Sequence, residues 1–219
     1  MSRIITIGRE FGSGGRELGR RFAEELGIEY YDKEILAAIA QHTSLSEQYV
    51  AQILEKQPHA LYPIAIGQSF TTLNQYYVGQ IQSVYRAQSE IINSLADKSD
   101  CVIIGRCADY ILRDKHPYRI FVYADMKSRI ARCKKRSPES EHLSDKQMEK
   151  HIKAIDRDRA KFYSYFTGNK WGARENYDLC VNTTNTDIKQ LVANLSNRQL
   201  QRIIRKNELT VYFGTLVLF

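Results

Sequence analysis

The sequence predicts an α/β fold, a five-stranded parallel sheet with helices on both faces, on three observations. Five short apolar runs are spread along the chain, and each is followed by helical periodicity rather than by a hairpin turn. The first run leads into a glycine-rich turn and an amphipathic helix, the opening of a βαβ unit. No stretch of about 18 apolar residues interrupts the alternation, so no membrane span is expected.

The elements follow in order. Ile4-Ile5-Thr6-Ile7 is suited to a strand buried on both faces and ends in Gly8. Beyond the turn, Leu18, Phe22 and Leu26 recur on one helical face, and Gly27 stands in the C-cap position. Ile28-Glu29-Tyr30-Tyr31 is the second strand, ending at Asp32. From there to about Asp97 the strand signals fade. Ile35, Leu36 and Ile39 mark one helix, and Ser44 with Glu47 three residues on has the pattern that caps the start of another. Pro58 and Pro63 punctuate a connection, and Leu73 to Leu95 reads as one long helix rich in Gln and Tyr. Cys101-Val102-Ile103-Ile104-Gly105 is the third strand, followed at once by Arg106, and Ile120 to Ala124 the fourth, followed by Asp125. A basic helical region spans Lys127 to Lys161 with a break at Ser137-Pro138. Tyr177 to Asn182 is the fifth strand, and Ile188 to Ile204 a covering helix. The apolar tail from Leu209 to Phe219 reads as an added strand or a docking segment, with no role assigned.

Composition narrows the function classes. Four cysteines are scattered without a C-x-x-C pair, and none is joined by histidine at zinc spacing, so buried thiols are expected rather than disulfides or a metal site. The apolar run after Met1-Ser2-Arg3 is too short for a signal peptide, and a cytoplasmic location is expected. The net charge of +7 calls for an anionic partner. Six basic residues, Lys127, Arg129, Arg132, Lys134, Lys135 and Arg136, fall between Met126 and Pro138 with no acid among them. Nucleic acid is disfavoured as that partner, because no recognition motif accompanies the charge.

The glycine-rich turn carries the sharper expectation. Gly8-Arg9-Glu10-Phe11-Gly12-Ser13-Gly14-Gly15-Arg16 sits between a strand and a helix, where backbone N–H groups and a helix N-terminus converge on a polyphosphate. The usual pattern for such a loop, G-x-x-x-x-G-K-[ST], is not met. In one register Gly15-Arg16-Glu17 replaces Gly-Lys-Thr. In another, Gly12-Ser13-Gly14 supplies the loop and Gly15 falls on the lysine position. Either way the lysine and the metal-binding hydroxyl are missing; Arg16 is the substitute charge and Ser13 the nearest hydroxyl. Gly12, Ser13, Gly14, Gly15 and Arg16 are therefore the expected nucleotide-binding residues.

Further pieces accompany this loop: Tyr31-Asp32-Lys33-Glu34, Gly105-Arg106-Cys107-Ala108-Asp109, Asp156-Arg157-Asp158-Arg159, Tyr165 to Gly172, and Tyr177-Asp178-Leu179. With Gly12 to Glu17 they resemble the cytidylate kinase-like branch of the nucleoside monophosphate kinases, over about Ile4 to Leu195. The resemblance implies a three-layer P-loop kinase fold in one domain, with a core at 1–32, 98–126 and 174–205, a helical acceptor lobe at 33–97 and a mobile lid at 127–173. It implies ATP and Mg²⁺ as cofactors and no protein-bound metal. It places Asp32, Arg106, Asp109, Asp156 and Arg159 on the acceptor, and Arg16, Arg129, Arg132 and Arg159 around the transferring phosphate. Trp171 is expected either to stack on a base or to pack in the core.

The implied reaction is transfer of the ATP γ-phosphate to a nucleoside monophosphate, CMP or dCMP above all. A kinase of another small acceptor and a nucleotide-binding regulator with little turnover are the alternatives. Oligomeric state is left open.

Overall fold

The computed structural model describes residues 2–55, 71–136 and 143–196. Five strands, β1 (Ile4–Arg9), β2 (Glu29–Tyr31), β3 (Cys101–Ile104), β4 (Tyr118–Tyr123) and β5 (Leu179–Asn182), form one sheet in the order β2-β3-β1-β4-β5. Every neighbouring pair is parallel, with Ile5 opposite both Val102 and Tyr118 in β1's two ladders.

Side chains alternate across this sheet and build two cores. Ile5 and Ile7, with Val102, Ile104, Ile120 and Val122, face Leu18 and Phe22 of α1 (Gly15–Leu26) and Ile188 and Val192 of α8 (Ile188–Ser196). Ile4, Cys101 and Ile103 face the other way, onto α2 (Lys33–Thr43), α3 (Glu47–Glu55), α4 (Thr71–Lys98) and the short α5 (Ala108–Ile111). α6 (Met126–Arg136) follows β4, and α7 (Asp145–Thr167) sends Phe162 and Tyr163 into this second core. Each fully buried Leu, Ile or Phe contributes roughly 1.5–3 kcal/mol, so these two faces hold the sheet. The helical segment after β2 is thus more than an appended lobe, because it closes one face of the sheet.

The expected strands appear within a few residues of their sequence positions, and Gly27 terminates α1 at φ 63°. One cap differs. Ser44 ends α2 in the left-handed region, at φ 55°. It is the Ser46 hydroxyl that accepts from the Tyr49 N–H (3.2 Å) at the start of α3. Two serines so close each fit a cap by composition, and the tight turn out of α2 leaves only the second with strand-like freedom to cap. The α7 start has a full capping box between Ser144 and Gln147, which the sequence reading did not single out. Pro58, Pro63, the Ser137-Pro138 break, the continuation of α8 to Ile204 and the apolar tail lie outside the described residues.

Candidate active site

The glycine-rich turn lies at the C-terminal end of β1, the sheet's central strand, where open α/β sheets bind ligands. Gly14 is left-handed at φ 85° and precedes Gly15, the first residue of α1, with no side chain capping the helix. The first-turn N–H groups of α1 have no intrahelical acceptor and favour an anion. Gly19 lets the helix lie close on the sheet: a Cβ there would be 2.4 Å from Ile104 Cδ1.

The back of the loop is tied down by a closed set of polar contacts. Arg129, whose side chain is 6% exposed, donates from Nε to Phe11 O (2.7 Å), meets Glu10 Oε2 at 3.2 Å, and is hydrogen-bonded to Asp156. The other Asp156 oxygen accepts from the Phe11 N–H at 2.8 Å. The Ser13 hydroxyl is buried and donates to Glu10 O (2.8 Å), while Ser13 O accepts from Thr183 Oγ1 (2.6 Å). Arg132 is bonded to the carbonyls of Ser13, Thr183 and Thr186. Burial, then the Arg129 guanidinium pulling the opposite way, leaves the Glu10 carboxyl above its ordinary range.

This arrangement changes the reading of four expected site residues. Arg129 and Asp156 pair with each other beneath the loop instead of facing the open cleft. Arg132 reaches the cleft wall, but its guanidinium is occupied by three carbonyls. The Ser13 hydroxyl, fully buried and donating to Glu10 O, braces the loop from inside rather than facing the cleft. The sequence showed the charges and their helical spacing, while most of their partners come from other elements, 27 residues away for Arg129 and Asp156 and 118 for Arg129 and Phe11.

The mouth of the loop is built differently. Arg9, at the end of β1, and Arg16, on α1, converge on the buried carboxylate of Asp32, at 3.9 Å and 2.8 Å respectively. Asp32 occupies the N-cap position of α2 without capping it. Burial, followed by repulsion from Arg159, lowers the proton affinity of Arg9; Arg16 and Arg106 add to that repulsion and Asp32 opposes it. Arg9 and Arg16 therefore share one carboxylate while Arg106 and Arg159, the latter 3.9 Å from Asp156, repel Arg9, a field suited to negative charge.

Two cavities meet there. A cleft of about 500 Å³ opens over the loop, walled by Phe11, Gly12, Gly14, Gly15, Arg16 and the α6 and α7 residues Arg132, Arg136 and His151. A smaller cavity of about 70 Å³ lies beyond, lined by Gln88, Arg106, Asp109, Tyr163, Trp171 and Tyr177 among others. Arg9 and Arg159 line both.

The smaller cavity sits behind an unusual turn. Gly105, Arg106 and Cys107 are left-handed in succession, at φ 66°, 60° and 53°. A non-glycine residue there costs roughly 1–2 kcal/mol, and such strain concentrates at functional sites. The Gln88 amide nitrogen donates to Arg106 O at 2.9 Å, holding the turn. A carbonyl only accepts, so the amide orientation is fixed and Gln88 Oε1 is left buried with no hydrogen-bond partner among the described residues. Asp109 accepts from Tyr163 Oη at 2.6 Å. Burial is the main cause holding the Asp109 carboxyl above its ordinary range. Trp171 meets Phe121 edge-on at 5.3 Å and also lines the cavity.

Of the sequence-predicted residues, the structure brings Gly12, Gly14, Gly15, Arg16, Asp32, Arg106, Asp109 and Arg159 to these two cavities and their junction. Arg9, Gln88, His151 and Tyr163 were missed, while Arg136 was noted only as part of the basic run after β4. Of the missed residues only Arg9 had an available signal, a cation closing an apolar strand beside a loop that lacks one.

Burial pushes all four thiols upward, Cys101 to about 12, so they are inert packing groups. No cluster of three potential metal ligands occurs among the described residues. No helix among them is long and apolar enough to cross a membrane.

A five-stranded parallel sheet in this order, with a glycine loop leading from its central strand into a helix, defines the protein as an α/β domain of the P-loop kinase fold. The chain belongs to the cytidylate kinase-like family, whose profile matches residues 4–185. Among solved structures, it is similar to an uncharacterized protein from Eubacterium ventriosum (25% identity, TM-score 0.64, covering 89% of this chain and 96% of that one). It shares its fold with the shikimate kinase from Acinetobacter baumannii, solved with shikimate (13%, TM-score 0.51, covering 92% and 94%). The shikimate kinase from Bacteroides thetaiotaomicron is likewise similar (15%, TM-score 0.53, covering 91% and 98%). No curated protein matches the chain. Family and fold together support a small-molecule phosphotransferase.

Proposed function

We propose that the protein transfers the γ-phosphoryl group of ATP to a nucleoside monophosphate, with CMP or dCMP the preferred acceptor. The observation that carries this reading is the junction of the two cavities at Arg9 and Arg159. A donor seated on the glycine loop and an acceptor in the smaller cavity would place their phosphates against the same two guanidiniums. Phosphoryl transfer is mostly positioning and charge neutralisation, and this junction offers both.

In this reading the α1 N-terminus and Arg16 hold the polyphosphate, with Arg136 beside it. Arg159, steadied by its contact to Arg9 O (3.3 Å), faces the transferring group from the α7 side. Arg106 binds the acceptor phosphate, and Gln88 Oε1 and Asp109 accept hydrogen bonds from the acceptor's donor groups. Asp32 keeps Arg9 and Arg16 extended toward the cleft. Mg²⁺, when bound, would neutralise phosphate charge, held chiefly through phosphate oxygens and water, as is usual for this ion. A location in the cytoplasm accords with these substrates.

A second acceptor class is favoured by one observation. The cavity of about 70 Å³ suits a small polyhydroxylated anion more readily than a whole nucleoside. Both readings are tested by ADP release in a panel of nucleoside monophosphates and hydroxylated carboxylates. Acceptor-dependent ADP release with CMP supports the first. Release with a hydroxylated carboxylate alone supports the second, and release with none of them rejects both.

A further inference from the structure

The loop lacks a lysine, and the structure shows what fills its place. With Gly12-Ser13-Gly14 as the turn, Gly15 holds the lysine position of the phosphate-loop pattern, and counting back five residues from Gly14 places Arg9 on that pattern's first glycine. The fold agrees with this register, since Gly12 and Gly14 are both left-handed and Gly15 opens α1. These two positions, six residues apart, are in contact. A Cβ on Gly15 would stand 2.5 Å from Arg9 Cβ and 3.0 Å from its Cγ. The space that a residue-15 side chain would need is taken by the Arg9 stem.

The Arg9 head has a matching accommodation. A Cβ on Gly105 would lie 1.8 Å from Arg9 Nη1, and Gly105 itself is left-handed. The Arg9 side chain therefore threads between two glycines, one on the phosphate loop and one at the end of β3. It is 14% exposed, and among the described residues its guanidinium pairs with Asp32 alone, at 3.9 Å. A surface arginine would relax into water; this one is held in a channel between the two cavities.

We propose that Arg9 and Gly15 have exchanged the roles of the phosphate-loop glycine and lysine, so that Arg9 is the cation that grips the β- and γ-phosphates of the nucleoside triphosphate. The glycine at position 15 is then a requirement of the arginine at position 9, and the missing lysine is no defect. The planar guanidinium adds paired donors that an ammonium lacks, which suits a phosphate oxygen pair. Because Arg9 lines both cavities, it stays in reach of the phosphoryl group on either side of transfer. This inference rests on the nucleotide-binding reading above and deepens it.

The test is calorimetric titration of ATP and adenosine into wild type, Arg9→Gln, Arg9→Gly, Gly15→Lys and the double variant Arg9→Gly/Gly15→Lys, with thermal unfolding of each. Losing a charge-assisted phosphate contact should weaken ATP about 100-fold in Arg9→Gln and adenosine, which carries no phosphate, by less than about threefold. Gly15→Lys alone, crowded by Arg9, should also lose ATP. The double variant should bind ATP at least about tenfold more tightly than Arg9→Gly, because it restores the common arrangement. Arg9→Gln binding ATP like wild type overturns the proposal, as does an equal loss for ATP and adenosine. A double variant that folds yet binds no better than Arg9→Gly overturns the exchange. Failure of wild type itself to bind ATP instead removes the nucleotide reading.

Discussion

The arginines behind the phosphate loop and those at its mouth have opposite surroundings. Behind it, Arg129 is enclosed by two carboxylates and a carbonyl, and Arg132 by three carbonyls. At the mouth, Arg9 and Arg16 share the carboxylate of Asp32, and Arg106 and Arg159, the latter also 3.9 Å from Asp156, add their charge beside Arg9. A guanidinium ringed by acceptors fixes a shape, whereas positive charge gathered around an open cleft favours an anionic ligand. Charge alone looks alike in the two sets, so their surroundings separate support from binding.

Replacing residues from each set should break this contrast in different ways. Arg129→Met strands the partly buried Glu10 and Asp156 carboxylates beside a buried guanidinium site and should cost about 3 kcal/mol of stability, read from denaturant unfolding. A loss below about 1 kcal/mol would show that Arg129 behaves as an exposed pair. Arg159→Ala should leave the unfolding midpoint nearly in place while lowering acceptor-dependent kcat/KM by about 100- to 1,000-fold, the range for one preorganised transition-state donor. Equal activity with the wild type would move Arg159 into the supporting set.

The smaller cavity sharpens the same contrast on a finer scale. Gln88→Leu removes the unpartnered acceptor and should raise the acceptor KM by roughly five- to tenfold, about one hydrogen bond, with the ATP KM unchanged. An effect on ATP alone would place Gln88 outside acceptor binding. Asp109 gives the smallest effect, visible in pH dependence. Its folded-state carboxyl is raised by burial, so its stabilising contribution is complete below the ordinary carboxylate range and is lost as pH rises through the raised value. The melting temperature of Asp109→Asn relative to wild type should therefore climb as pH rises above the ordinary carboxylate range. A difference that stays flat with pH would contradict a raised carboxyl.

Much of the fold could be read locally. Ile4 to Ile7 and Cys101 to Ile104 are apolar on both faces because both faces are covered, and Gly27 announces the end of α1 through its left-handed backbone. Strand order was not legible, since the pairing of β1 with β3 joins residues nearly a hundred positions apart. The Gly105-Arg106 turn was legible as the end of a strand. Gln88 was hidden in a Gln-rich helix where nothing local distinguishes the one amide that turns inward. Arg9 stood in plain view, but its meaning depends on Gly15 and Gly105 lacking a Cβ, a relation among three positions that only folding brings together.

The central claim is that a donor phosphate and an acceptor meet at Arg9 and Arg159. Its most direct test follows ATP labelled in the γ-phosphate through a single turnover with CMP and wild-type protein. The account predicts label in the nucleoside diphosphate formed from the acceptor, with little in inorganic phosphate. Label released only as inorganic phosphate, or retained in ATP with every acceptor offered, would contradict it.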